Sequence, residues 1–151
     1  MAIDDVVYSG SNGVRVGAPV VYVTAFDYDF SVTGNAGTAV AISTHQVPEG
    51  ARVIGGWYEV ITTFTSSGDA AEVNLHVVNA DDLVTGIAIS GAGNPWDVDL
   101  TKRRPLKGIA ATQAAAQFVK IHRDAGGQDL TAGVLFGVVE WIRPEESSTG
   151  H

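Results

Sequence analysis

The chain contains no cysteine. Thiol nucleophiles, thiolate-held zinc and disulfide frameworks are therefore excluded, although the absence fixes no compartment, since many extracellular and virion proteins also lack cysteine. Positive charge is scarce: 9 Lys and Arg stand against 17 Asp and Glu, a net charge of −8. That balance argues against binding driven by phosphate neutralisation, and no nucleic-acid partner is expected. The ingredients of surface helices are thin as well, with 17 % charged residues and one Met, whereas helices facing water usually carry Glu and Lys in quantity. No apolar run approaches the ~20 residues of a membrane span. Met1 to Val20, interrupted by Asp4, Asp5, Gly10, Gly13 and Gly17, lacks the basic start and apolar stretch of a signal peptide. The expectation is a soluble protein with no membrane partner.

What is present points to sheet. The sequence has 18 Gly, is rich in Val, Thr and Ala, and is 45 % hydrophobic over 151 residues, which suffices for one cored domain of all-β class. Residues 1–18 read as an extended N-terminal arm, because glycines and small polar residues separate single apolar ones and little can be buried. Residues 19–143 read as the β-domain, and 144–151, with Glu145, Glu146 and small polar residues, as a flexible tail.

Along the domain, Val20 to Phe30 predicts a long strand and Ala39 to Ser43 a short one, with a Pro48-Glu49-Gly50 turn after them. Arg52 to Thr65 is the strongest strand. Simple alternation puts Val53, Trp57 and Ile61 on one face and Ile54, Tyr58, Val60 and Phe64 on the other. Both faces are apolar, so one meets a second sheet and the other needs a cover from a loop, the arm or another subunit. Gly55-Gly56 inside this strand predicts a bulge or a close backbone approach. Ala71 to Val78 alternates cleanly and, across the Ser66 to Asp69 turn, is expected to form a hairpin with the long strand. Leu83 to Ser90 predicts a further strand. Gln117 to His122 and Thr131 to Ile142 read as a closing hairpin, with Ile109 to Ala116 an irregular lead-in. About eight strands without a repeat period suggest a single two-sheet, jelly-roll-like β-sandwich.

Candidate chemistry is sparse. The histidines His45, His76, His122 and His151 have no ligand-pair spacing, so no metal or other cofactor is expected. No nucleophile motif or phosphate cradle is present, and the protein is read as non-enzymatic. Asp27/Asp29 and Asp97/Asp99 each place two carboxylates on one strand face, where an ion is conceivable, although outward acids on a half-buried strand need no further reason than solubility. Lys102-Arg103-Arg104-Pro105-Leu106-Lys107 holds four of the 9 basic residues. It is either a docking point for an acidic partner or a local counterweight to Asp97 and Asp99.

The run Val47 to Phe64, VPEGARVIGGWYEVITTF, resembles the Pro-x-Gly-Ala, Val-Ile, aromatic-Glu-Val pattern of small β-sandwich decoration, or cement, proteins on tailed-bacteriophage capsids. The Ser/Gly-Asp turn, Trp96-Asp97 and the closing Leu130 to Leu135 strand follow in similar order, so the resemblance spans about Pro19 to Ile142. It implies a homotrimer on the outer face of the virion, bound to the major capsid protein and stabilising the shell, made in the host cytoplasm. On that reading the capsid contacts fall on the arm residues Ile3, Val6, Val7, Tyr8, Val14, Arg15 and Val16 and on the basic residues Lys102, Arg103, Arg104 and Lys107. The two-faced strand supplies a trimer seam through Ile54, Trp57, Tyr58, Val60 and Phe64. The rival reading is a carbohydrate-binding or adhesin module, which needs Trp57, Tyr58, Trp96 or Trp141 as exposed stacking platforms. A cupin-type enzyme would need a His/Glu metal set that the spacing does not offer.

Overall fold

The computed structural model describes residues 20–91, 93–98, 103–123 and 128–144. The expected arm, Lys102 and all of the expected tail except Pro144 lie outside the described residues. The named strands are β1 (Tyr22–Asp29), β2 (Val40–Ala41), β3 (Arg52–Ser66), β4 (Glu72–His76), β5 (Val84–Ala88), β6 (Arg104–Pro105), β7 (Lys120–Arg123) and β8 (Leu130–Ile142), with one helical turn, α1 (Phe30–Thr33), after β1. They form two four-stranded sheets, ordered β1-β8-β3-β6 and β2-β7-β4-β5. Every pairing is antiparallel.

The order is that of a jelly roll. β1 pairs with β8, β2 with β7, β3 with β6 and β4 with β5, as if one long antiparallel ribbon had been wrapped so that alternate pairs fall in opposite layers. The all-β sandwich expected from composition is therefore the observed fold. Both expected hairpins are corrected. The long strand β3 and the alternating strand β4 lie in different sheets, as do β7 and β8. Both edges of β3 are taken, by β8 and β6, and both edges of β7, by β2 and β4. The Ser66 to Asp69 turn consequently arches the chain into the other layer, held by Ser66 Oγ accepting from the Ala70 and Ala71 amides at 3.2 and 3.4 Å.

The expected strand from Val20 to Phe30 ends at Asp29, whose carboxylate accepts from the Ser31 amide at 2.9 Å and from Ser31 Oγ at 2.6 Å. That is an N-cap, and it starts α1. Residues 109–116 form no strand or helix, as expected. They are stitched to the chain before and within β3 by Ile109 N–H to Val53 O and Gln113 N–H to Ala51 O, at 2.9 and 2.7 Å.

Between the sheets lies a core of Phe26, Tyr28, Val53, Tyr58, Val60, Phe64, Val73, Leu75, Ile121, Leu135 and Val139, all buried. Trp96, from the loop between β5 and β6, is driven fully into it. The indole packs 5.7 Å from both Tyr58 and Phe64, and Phe64 stacks on Tyr28 at 5.6 Å. The indole N–H donates to Ile87 O at 3.0 Å, so the plug leaves no polar atom of its ring unpaired.

Simple alternation fails along β3, and the failure has one cause. Pairing with β8 slips between Val53 and Gly55 and again between Val60 and Thr62. Gly56, at φ +142°, brings the backbone so close to β8 that a Cβ there would sit 2.2 Å from Val138 O. The extra residue of this bulge turns Val53 and Tyr58 to the same, inner side and leaves Ile54 outside with Trp57 and Ile61.

Candidate functional site

The bulge gives the β1-β8-β3-β6 sheet an outer face that is mostly apolar. One register row runs across all four strands: Ala25, Val138, Trp57, Pro105. The next row is Asp27, Phe136 and Glu59. Trp57 and Phe136 meet edge to face, 5.7 Å between centroids at 87°. Val23, Ile54, Ile61 and Phe136 are exposed to solvent at 59, 43, 46 and 38 %. Beside the row lies a groove of ≈ 530 Å³, walled by Ala25, Asp27, Thr44, His45, Trp57 and Phe136.

The basic segment borders this face. Arg103 lays its guanidinium 3.7 Å above the Trp57 ring, and its Nε is 3.1 Å from Glu59 Oε1. The ion pair is exposed and contributes about 0.2–1 kcal/mol. Its larger effect is to fix the Arg103 plane as a roof on Trp57. Arg104 is half-buried and donates to Asp97 O at 3.3 Å, while Lys107 Nζ reaches Thr85 Oγ1 at 3.0 Å. The segment is thus not a free loop. Arg104 and Pro105 form β6, Leu106 N–H bonds to Gly56 O, and Lys107 N–H bonds to Leu83 O, so it ties one sheet to the other at their shared edge. Arg103 and Lys107 still point positive charge outward.

The five expected seam residues divide. Ile54 and Trp57 lie on the outer face, exposed and half-buried. Tyr58, Val60 and Phe64 are corrected: they are core residues, 1–4 % exposed, which the sandwich itself consumes. The arm candidates Ile3, Val6, Val7, Tyr8, Val14, Arg15 and Val16, and Lys102, fall outside the described residues. Val23, Phe136 and Val138 belong to the outer face but were not singled out from sequence. The signal was there, since the β8 run Val134-Leu135-Phe136-Gly137-Val138-Val139 is as apolar on both faces as β3.

Other candidates find ordinary partners. Asp29 caps α1, and Asp97 Oδ2 accepts from Gly93 N–H at 2.9 Å to close its loop. Among the described residues no three His, Asp or Glu side chains cluster as ligands. His45 is exposed at the groove, His122 is half-buried, and His76 is buried with its ring on Asn74. The carbohydrate reading loses its platforms: Tyr58, Trp96 and Trp141 are buried, and Trp57 is roofed by Arg103.

No protein-family model and no curated protein matches this sequence. The fold does match solved structures. A chain in the capsid asymmetric unit of cyanophage Pam1 superposes with a TM-score of 0.57 at 19 % identity, over 90 % of this chain and 98 % of that one. A chain in the acidic stable capsid structure of the Helicobacter pylori bacteriophage KHP30 superposes with a TM-score of 0.52 at 12 % identity, over 83 % of this chain and 89 % of that one. This chain therefore shares its jelly-roll fold with chains found in two phage capsid structures.

Proposed function

We propose that the protein is a non-enzymatic structural protein of a phage virion that binds the outer surface of the capsid as a homotrimer and stabilises the shell. The observation that carries this reading is the likeness to a chain of the Pam1 capsid asymmetric unit, which extends over 98 % of that chain. The match is thus to nearly the whole of a small chain. The surface is compatible. In this reading the apolar row with Ile54 and Trp57 closes the ring between copies, where a heterologous patch is buried by symmetry. The arm over 1–18 and the basic residues Lys102, Arg103, Arg104 and Lys107 meet the major capsid protein. Binding to the assembled shell and not to its dissociated subunits stabilises the shell by mass action, and several contacts per trimer multiply weak affinities.

The test is sedimentation with purified shells of the cognate phage, using the full chain and a form lacking residues 1–18. The full chain should pellet with shells at fixed stoichiometry and raise their disruption temperature. The truncated form should keep its circular dichroism and stay in the supernatant. Absence of the full chain from the pellet overturns the proposal, and equal binding by the truncated form removes the arm from it.

A further inference from the structure

The other sheet carries a feature that lies outside the residues assigned above to capsid binding. On the side of β4 facing away from the core, Asn74 and His76 are 0 and 6 % exposed. The neighbouring strand β7 sets His122 opposite Asn74 and Lys120 opposite His76. His76 Nδ1 lies 2.7 Å from Asn74 Oδ1. A carboxamide oxygen only accepts, so Nδ1 carries the proton and the lone pair of Nε2 is the basic site. Lys120 Nζ donates to Val77 O at 2.6 Å and to Gln117 Oε1 at 3.1 Å, neither of which bears a charge.

The carboxylates nearest to this group are spent elsewhere. In the turn after β4, Asp82 accepts from the Val77, Val78 and Asn79 amides at 2.8, 2.9 and 3.0 Å, and Asp81 Oδ1 accepts from Gly86 N–H at 2.7 Å. Strand β5, on the other side of β4, has no titratable side chain, and on β4 itself the remaining charge is the exposed Glu72. Among the described residues, those facing His76 are thus Lys120 and His122 from β7 and two committed aspartates from the turn. Burial lowers the His76 pKa, Asp82 opposes that shift, and Lys120 and His122 add to it. Burial likewise lowers that of Lys120.

We propose that His76 is an acid-triggered weak point of the β4–β7 ladder: protonation of the buried Nε2 places a second cation beside the half-buried Lys120, and the sheet opens there first. The direction follows from linkage. The folded-state pKa lies below the unfolded value of about 6.5, so the unfolded chain takes up the proton first. The stabilisation is complete above about pH 6.5 and is lost as pH falls below it, by up to about tenfold in the folding equilibrium constant per pH unit until the folded pKa is reached.

Urea denaturation of the full chain between about pH 7.5 and about pH 5 tests this, with His76→Gln and, as a control at an exposed histidine, His45→Gln. Wild type and His45→Gln should lose folding constant from about pH 6.5 to about pH 5.5, by up to about fivefold from this one group. His76→Gln should lose several-fold less. An acid loss in His76→Gln as large as in wild type overturns the proposal. Should that variant not fold, NMR titration of the His76 imidazole in the wild type decides: a midpoint below about 6.5 with faster amide exchange in β4 and β7 on acidification supports it, and a midpoint at or above about 6.5 refutes it.

Discussion

Tyr28 and Tyr58 pack in the core with their hydroxyls tied to the backbone, Tyr28 donating to Gly34 O and Tyr58 to Pro95 O. Burial pushes both phenols from 10.0 up to about 12; the Asp29 charge adds to the Tyr28 shift and Arg104 opposes that of Tyr58. An unfolded chain ionises both near pH 10, so this stabilisation is intact below about pH 10 and lost as the pH rises through about 12. Each residue contributes about 2–3 kcal/mol across that window. The phenolate absorbance of these two residues should therefore appear together with the loss of near-ultraviolet circular dichroism, and Tyr58→Phe should flatten the fall of stability between about pH 10 and about pH 12. Ionisation of both residues near pH 10 in a chain that remains folded would contradict this account.

At the scale of the element, legibility depended on how local the determining physics is. The period-2 alternation of Val73, Leu75 and Val77 in and around β4 is a property of consecutive residues, and all three are buried as it requires. Which strand sits beside which is not local. β3 and β4 are separated by a turn well suited to a hairpin, but β3 already has β8 and β6 on its edges, and no window of sequence reports an occupied edge. The inner face of β3 was misread for a related reason. Gly55-Gly56 announces a bulge, yet the residue at which parity slips is set by the approach of Val138, 82 positions downstream by subtraction of those residue numbers. Trp96 is a third case. Its indole was legible as a large aromatic beside an acid, whereas its role as core plug depends on a loop closed by Asn94, which donates to Ile89 O and accepts from Trp96 N–H. The bulge gives the sharpest test of this view. Gly56→Ala meets both a positive φ and a blocked Cβ position, so it should cost at least about 2 kcal/mol in urea denaturation. Gly91→Ala, also at positive φ but with nothing near its Cβ, should cost only the smaller strain term, and equal losses would show that close packing of β3 on β8 is not what the glycine serves.

The two outer faces of the molecule differ in kind. One carries Glu72, Lys120 and His122 around the buried Asn74 and His76 of β4 and β7. The other presents Val23, Ile54, Trp57, Ile61 and Phe136, with Arg103 and Glu59 at its border. A protein that assembles with copies of itself would bury the second face, so oligomeric state is the property through which the apolar face should show itself. Ile54→Glu separates that role from folding. The side chain is 43 % exposed and lies outside the core, so the change should move monomer stability by no more than about 0.5 kcal/mol. Three symmetry-related glutamates would instead be buried in a trimer seam, at a cost that prevents closure of the ring. Light scattering should therefore give a trimer mass for the wild type and a third of it for Ile54→Glu, with unchanged circular dichroism. A wild type of monomer mass would refute the trimer, and a variant that keeps the trimer mass would move the seam to another face of the sandwich.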